Sequence, residues 1–254
     1  ALTIESLVRV VAVGVIPGGR RPSTAMAWLL GVFLIPVVAL PLFAVLGTNR
    51  LSTRRQELQR LVNAELATLF EGTDGATVVH AARLIHPPGT VRPFFDVNVG
   101  GTQMVIDRAR RAGAGRVVHI SSNSPFGAND RPTDRFDETS PPNPYLGYGR
   151  SKLEAEEIVT RAAERGDVDA VILRPPWFYG PWSPDRQAQF LRTVRTGRFP
   201  LVGDGTQQRS MVYAGNLADA CLCAEAAEGV TGRAYWVADA EPYPLRDIFG
   251  GIRE

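Results

Sequence analysis

Of the 28 basic side chains in this chain, one is a lysine, and it stands at position 152, four residues after a tyrosine. In the segment PYLGYGRSKLEAE, Tyr148 and Lys152 lie one helical turn apart on one face. A phenol with its ordinary pKa near 10 is a poor base at neutral pH. A neighbouring ammonium favours the phenolate and makes the pair a usable general acid/base. The ammonium also keeps donors for a ribose hydroxyl. Arginine supplies the other 27 basic side chains, but its delocalised fork does not replace a compact ammonium. Ser122, at the end of HISS, adds a hydroxyl able to hold a substrate carbonyl or hydroxyl while Tyr148 moves the proton. Taken singly, these residues also read as a packed tyrosine, a surface lysine and an ordinary serine turn. Ser122, then Tyr-x3-Lys, then RPPWFYGP is a much rarer ordered set.

Positioning these groups requires alternating strands and helices. ATVVHAA (76–82), GRVVHISS (115–122) and DAVILRP (169–175) read as buried strands, the last halted by Pro175 and Pro176. Helical spacing runs over 96–112 and over Ser151–Arg165, and Gln56–Gly72 reads as a polar helical linker. The pattern predicts an α/β fold, a partial Rossmann-like doubly wound parallel sheet. Ligands in such sheets sit at the carboxyl ends of the strands, here His80–Ala82, Ser121–Ser122 and Arg174–Pro176.

Composition excludes some functions. A formal net charge of +2 is too small to argue for nucleic acid. Cys221 and Cys223 stand two apart in a helical segment and do not share a face, which argues against a metal pair. They read as small buried residues of a reduced compartment, and no metal site is expected.

The N-terminal stretch VRVVAVGVIPGGRR raises a second question, because an apolar run ends in glycines. Gly14, Gly18 and Gly19 do not fit G-x-G-x-x-G, and no acidic residue stands between Ser6 and Gln56 to hold a ribose. Ala25–Gly47 then runs 23 residues without a charge. A crossover helix in an α/β fold needs a polar face. At 1.5 Å per residue this run would span about 35 Å, enough for a bilayer core. The expectation is therefore an N-terminal transmembrane helical hairpin over 1–56, preceding the sheet. Arg50, Arg54, Arg55 and Arg60, against Arg20 and Arg21, place everything after about residue 50 in the cytoplasm. Residues 8–60 resemble the membrane hairpin that precedes the catalytic domains of bacterial cardiolipin synthases, of the phospholipase D superfamily. The resemblance rests on RRP…AWLL, the apolar run and the G-x-N-R exit. That superfamily's chemistry needs H-x-K-x4-D. None of His80, His86 and His119 stands two before a lysine, so phospholipid synthesis is excluded.

From Ala76 the resemblance is to another family. VVHAA, FDVNVGGT, VVHISSNSPFG, YGRSK, ILRPPWFYGP and LVGDGTQQRSMVYAGNLADA read in order like the extended short-chain dehydrogenase/reductases, the NAD-dependent epimerase/dehydratase and 3β-hydroxysteroid-dehydrogenase-like proteins. The likeness covers about residues 74–250. It implies Tyr148 as catalytic acid/base, Lys152 as its partner and ribose ligand, and Ser122 as the substrate-orienting hydroxyl. It also implies a cofactor surface at Ala81, Ala82, Ser121 and Pro175, a structural role for Asn98, and a substrate diphosphate at Arg209. The cofactor would be NAD or NADP. The substrate would be a sugar nucleotide, a steroid-like compound or another alcohol or ketone, and a homodimer is allowed.

The glycine loop, helix N-terminus and ribose acid that open this family do not occur before Ala76. The expected domains are therefore a membrane hairpin (1–56), a linker (57–75), the C-terminal half of a Rossmann-like domain (76–180) and a partial substrate-binding region (181–254). The expected function is an NAD(P)-dependent oxidoreductase or epimerase impaired by loss of the glycine-rich half. The alternative is a membrane-tethered, non-catalytic fusion fragment.

Overall fold

The computed structural model describes residues 68, 70–72, 74–85, 91–129, 131, 134–181, 185–201 and 203–253. The hairpin expected over 1–56 and most of the linker lie outside them. Among the described residues, no helix is long and apolar enough to cross a membrane. The chain divides into two units, residues 1–71 with 84–96, and residues 72–83 with 97–254. The described part of the first is small. It holds a helical turn, Arg92–Phe94, with proline in its first turn, and an exposed Arg92–Asp96 ion pair.

The second unit carries the sheet. Its strands are β1 (Thr77–His80), β2 (Arg116–Ile120), β3 (Ala170–Arg174) and β7 (Ala234–Trp236), in the order β1-β2-β3-β7 with every pair parallel. Each central strand is a largely apolar run, RVVHI and AVILR, buried on both faces except at its terminal arginine, as a covered parallel sheet requires. Alternation along β2 and β3 separates the two faces. Val118, Ile120, Val171 and Leu173 pack with Ala220, Cys221 and Ala224 of helix α4 (Ala214–Ala226). His119 points the other way, toward Lys152 of α2 (Gly147–Glu164). Helix α1 (Gly100–Arg111), entered through a π-helical stretch Phe95–Val99, packs against both β1 and α2.

The remaining elements are short. β4 (Trp177–Tyr179) pairs in parallel with β6 (Met211–Tyr213), and β5 (Gln208–Arg209) pairs antiparallel with β8 (Tyr243–Pro244). Helices α3 (Asp185–Arg195) and α5 (Leu245–Arg253) pack on each other through Phe190 and Phe249, 6.1 Å between ring centroids.

Three expectations are corrected. The strand read in 76–82 spans only Thr77–His80 and, at the edge of the sheet, is not buried: Val79 is 50% exposed. Helix α2 begins at Gly147, not Ser151, so Tyr148 lies inside it. Cys221 is half-buried against the sheet core, but Cys223 is exposed, because residues two apart on α4 face different ways.

Candidate active site

Strand β2 delivers the site. Its last residue, Ile120, is followed by Ser121, whose amide donates to the Leu173 carbonyl at 2.7 Å and prolongs the pairing with β3. Asn123 N–H donates to the Pro175 carbonyl at 3.2 Å, so the carboxyl ends of β2 and β3 are tied together. Ser122 stands between these ties. Its Oγ accepts from the Ser124 amide at 3.2 Å, which starts the 3-10 turn Ser124–Phe126. The loop turns back at Gly127, with φ of 74°, where a Cβ would lie 2.6 Å from the Asn143 carbonyl oxygen.

Helix α2 meets this loop end-on. Leu146 is extended and the helix starts without a side-chain cap. Gly149 permits the approach, since a Cβ there would fall 2.5 Å from the Ser124 carbonyl oxygen. The first turn is held from behind. Asn98 Nδ2 donates to Ser151 Oγ at 2.9 Å, and Ser151 Oγ donates to the Tyr148 carbonyl at 2.8 Å. Asn98, 2% exposed, therefore steadies the turn that carries Tyr148.

The structure sets Ser122 close enough to Tyr148 for its hydroxyl to favour the phenolate. The net effect on the phenol is nevertheless upward. Burial raises its pKa above the ordinary value, against the Arg83 guanidinium and Ser122, which both lower it. The groups that lower it are thus Arg83 and Ser122, not the helical neighbour Lys152 on which the sequence reading relied, and burial outweighs both. Lys152 is 1% exposed and faces β2. Its Nζ donates to the Ile120 carbonyl at 2.9 Å and lies 3.4 Å from His119 Nε2. Burial brings its pKa down to about 8, Glu156 opposing and Arg83 adding to the fall.

Behind the lysine, burial and then the Lys152 charge push His80 down to about 4 and His119 well below the ordinary value. The two rings stand 5.1 Å apart, and His80 Nε2 is 3.0 Å from Thr102 Oγ1. Glu156, one turn beyond Lys152, is held by Arg174 at 2.8 Å and by the Ser121 hydroxyl. The Arg174 guanidinium covers the Phe126 ring at 4.5 Å. Ser121, expected at the cofactor surface, thus turns its side chain inward, and only its backbone remains at the strand end.

Ala81 and Ala82 are exposed just past β1, where the register with β2 continues to Ile120 and Ser121, and Pro175 is buried just past β3. Arg209 is exposed on β5, and no hydrogen bond or ion pair among the described residues joins it to Ser122, Tyr148 or Lys152. Arg83 escaped the sequence reading. It sits half-buried at the end of β1, its Cζ 4.7 Å above the Phe178 ring. In a chain with 27 arginines no spacing singled it out.

These residues fit the nicotinamide–ribose end of a dinucleotide. Two small exposed alanines leave room at the strand ends, and Lys152 has three donors of which two are engaged.

Comparison with known proteins agrees with this geometry. A family model described as "NAD dependent epimerase/dehydratase family" matches residues 34–238. That match starts well before Ala76, where the residues read here first follow the family pattern. The chain is 42% identical over 178 residues to an uncharacterized protein of Sinorhizobium fredii, covering 70% of this chain and 50% of that one. It is 34% identical over 184 residues to a 4-hydroxy-2-methyl-3-oxo-4-farnesyl-3,4-dihydroquinoline-1-oxide ketoreductase of Stigmatella aurantiaca, covering 71% and 54%. Among solved structures, the dTDP-glucose 4,6-dehydratase DesIV of Streptomyces venezuelae, with NAD bound, superposes with a TM-score of 0.65 at 27% identity, over 75% of this chain and 59% of that one. The chain spans about half the length of the curated relatives it matches.

Proposed function

Because the chain belongs to the NAD-dependent epimerase/dehydratase family, we propose that it binds NAD or NADP and acts as an oxidoreductase or epimerase on an alcohol or ketone. In this reading Tyr148 Oη gives or takes the proton of the reacting oxygen, and Ser122 Oγ holds that oxygen by a hydrogen bond. Lys152 directs its free donor to a ribose hydroxyl. A bound nicotinamide would supply hydride transfer. The protonated phenol favours the reducing direction at neutral pH, since a neutral Tyr148 can donate to a carbonyl without first losing its own proton. A ketoreductase relative supports that preference, and sugar-nucleotide enzymes among the structural neighbours keep a sugar nucleotide in view. The seating of the first turn of α2, which carries Tyr148, on the loop after Ser122, with Gly149 against the Ser124 carbonyl, carries the proposal.

The test is turnover of NAD(P)H with a panel of ketones and sugar nucleotides. Tyr148→Phe is expected to lower kcat at least a hundredfold, the usual scale of general acid catalysis, while leaving cofactor affinity nearly unchanged. Equal turnover by the phenylalanine variant would end the assignment.

A second reading, weak or absent catalysis, is favoured by the lack of a G-x-G-x-x-G run within residues 1–75. For residues 1–56 the charge-free run favours a membrane tether, while the family match through residue 34 favours continuity with the α/β domain. Flotation of the full chain with lipid vesicles separates them. A tether predicts that the chain rises with the vesicles and that Val32→Arg releases it; an intact chain that stays in solution removes the tether.

A further inference from the structure

Two buried histidines behind Lys152 take no part in the chemistry proposed above. His80 of β1 and His119 of β2 are register partners, 6% and 0% exposed, with ring centroids 5.1 Å apart. Hydrogen-bond directions assign a tautomer to each. Thr102 Oγ1, on α1, donates its only hydrogen to the Asn98 carbonyl at 2.6 Å. Toward His80 Nε2, 3.0 Å away, it can only accept, so Nε2 carries the His80 ring hydrogen. His119 meets the opposite demand. Its Nε2 lies 3.4 Å from Lys152 Nζ, and an ammonium has donors but no acceptor. His119 Nε2 is therefore bare, and the ring hydrogen sits on Nδ1. That atom is buried without a hydrogen-bond partner among the described residues whichever tautomer forms, so the choice is made at Nε2. Burial and the Lys152 charge keep the ring neutral.

We propose that His119 is a positioning residue for Lys152. As the Nδ1–H tautomer it accepts one ammonium hydrogen at Nε2. With the Ile120 carbonyl, 2.9 Å from Nζ, it leaves a single hydrogen for the cofactor. The groups involved form a closed circuit. From Lys152 it passes to His119, to the tilted His80 ring beside it, to Thr102 and to the Asn98 backbone. The Asn98 side chain returns to α2 by donating to Ser151 Oγ at 2.9 Å, and Ser151 donates to the Tyr148 carbonyl at 2.8 Å. One buried cluster thus sets the aim of the Lys152 ammonium and steadies the turn that carries Tyr148. A merely packed imidazole would need no particular tautomer, and an apolar side chain of its size would replace it. The use of the third hydrogen rests on the cofactor reading of the site; the tautomers do not.

The full chain, free of cofactor, is labelled with 15N-histidine, and long-range 1H–15N correlation at pH 7 reads which ring nitrogen of each histidine carries hydrogen. His80→Asn and His119→Gln assign the signals. The expected pattern is Nε2–H at His80 and Nδ1–H at His119, with Lys152→Met moving the His119 Nε2 signal and leaving His80 as it was. A parent chain in which every histidine is Nε2–H overturns the proposal without any variant, and so does a His119 Nε2 signal that ignores Lys152→Met. Calorimetry with NAD then tests the positioning. His119→Leu should weaken binding about tenfold, the scale of one lost hydrogen bond to a charged group. His119→Gln, whose carbonyl oxygen can stand where Nε2 stood, should restore most of it. Equal weakening in both variants, or none in His119→Leu, removes the positioning role. If the parent chain bound no NAD, the cofactor reading would fall, and the tautomers alone would decide whether His119 holds Lys152.

Discussion

At the scale of single residues, the site is built from groups held against their ordinary ionisation. Lys152 titrates near 8 instead of 10.5, because burial removes the water that favours an ammonium. The folded chain therefore holds this proton less tightly than the unfolded one. Between pH 8 and 10.5 the unfolded state carries more protons, so stability rises with pH across that window. Below it the buried ammonium costs on the order of 3 kcal/mol, at 1.36 kcal/mol per pH unit. Lys152→Met is thus expected to be more stable than the parent at pH 7 in urea unfolding, with the gap closing as pH rises from 8 to 10.5. A gap that ignores pH would contradict the buried ammonium. The histidines behave similarly at lower pH. His80 is brought from 6.5 to about 4, and His119 is also lowered. The unfolded state gains protons first as the solution is acidified, so stability is lost as pH falls from 6.5 toward 4. His80→Asn should make that loss shallower in thermal melts taken at half-unit steps; an unchanged slope would show that the imidazole is not held neutral.

At the scale of elements, the tie between β3 and α2 is the Arg174–Glu156 pair, with side chains 13% and 4% exposed. Removing one partner strands a buried charge, whereas replacing both with apolar groups of similar volume does not. Glu156→Leu should destabilise by about 3 kcal/mol or more, and Glu156→Leu with Arg174→Met should recover most of it. Gly149→Ala tests the seat of α2 on the Ser122 loop. The added Cβ, 2.5 Å from the Ser124 carbonyl oxygen, must push the first turn away. The expected cost is about 1–3 kcal/mol, with a larger loss of kcat than of cofactor affinity, because Ser122 and Tyr148 separate first. The same elements show what the sequence made legible. RVVHI and AVILR were readable because strands buried on both faces are continuous apolar runs, and TVVH shares that apolar texture although, at the sheet edge, it leaves Val79 50% exposed. The start of α2 was not, since Gly147 and Gly149 suppress helix propensity and only tertiary contact with the Ser124 turn overrides it. Strands β4 to β8 are two or three residues long, too short for any alternation to register. Ser122 and Tyr148 were found by spacing; Arg83 could be found only by where β1 ends.

At the scale of the whole molecule, the described strands and the glycine pattern bear on opposite ends of a dinucleotide. The carboxyl ends of β1 and β2 carry Ala81, Ala82 and Ser122, and α2 carries Tyr148 and Lys152; in the proposed function these residues take the nicotinamide and its ribose. The adenosine and pyrophosphate end calls for a tight glycine turn, backbone amides at a helix N-terminus and an acidic ribose ligand. Residues 1–75 contain no G-x-G-x-x-G, and no acid stands between Ser6 and Gln56. The family match nevertheless runs from residue 34, so part of that region is aligned with the family without its phosphate-binding glycines. If those contacts are missing in function as in sequence, the adenosine half of the cofactor contributes little binding energy to this chain. Calorimetry on the full chain then gives dissociation constants for NAD and nicotinamide mononucleotide that agree within about tenfold, a difference of no more than 1.4 kcal/mol. A preference for NAD of a thousandfold would place about 4 kcal/mol on the adenosine end. It would assign a working phosphate site to the residues before β1, built without the usual glycines.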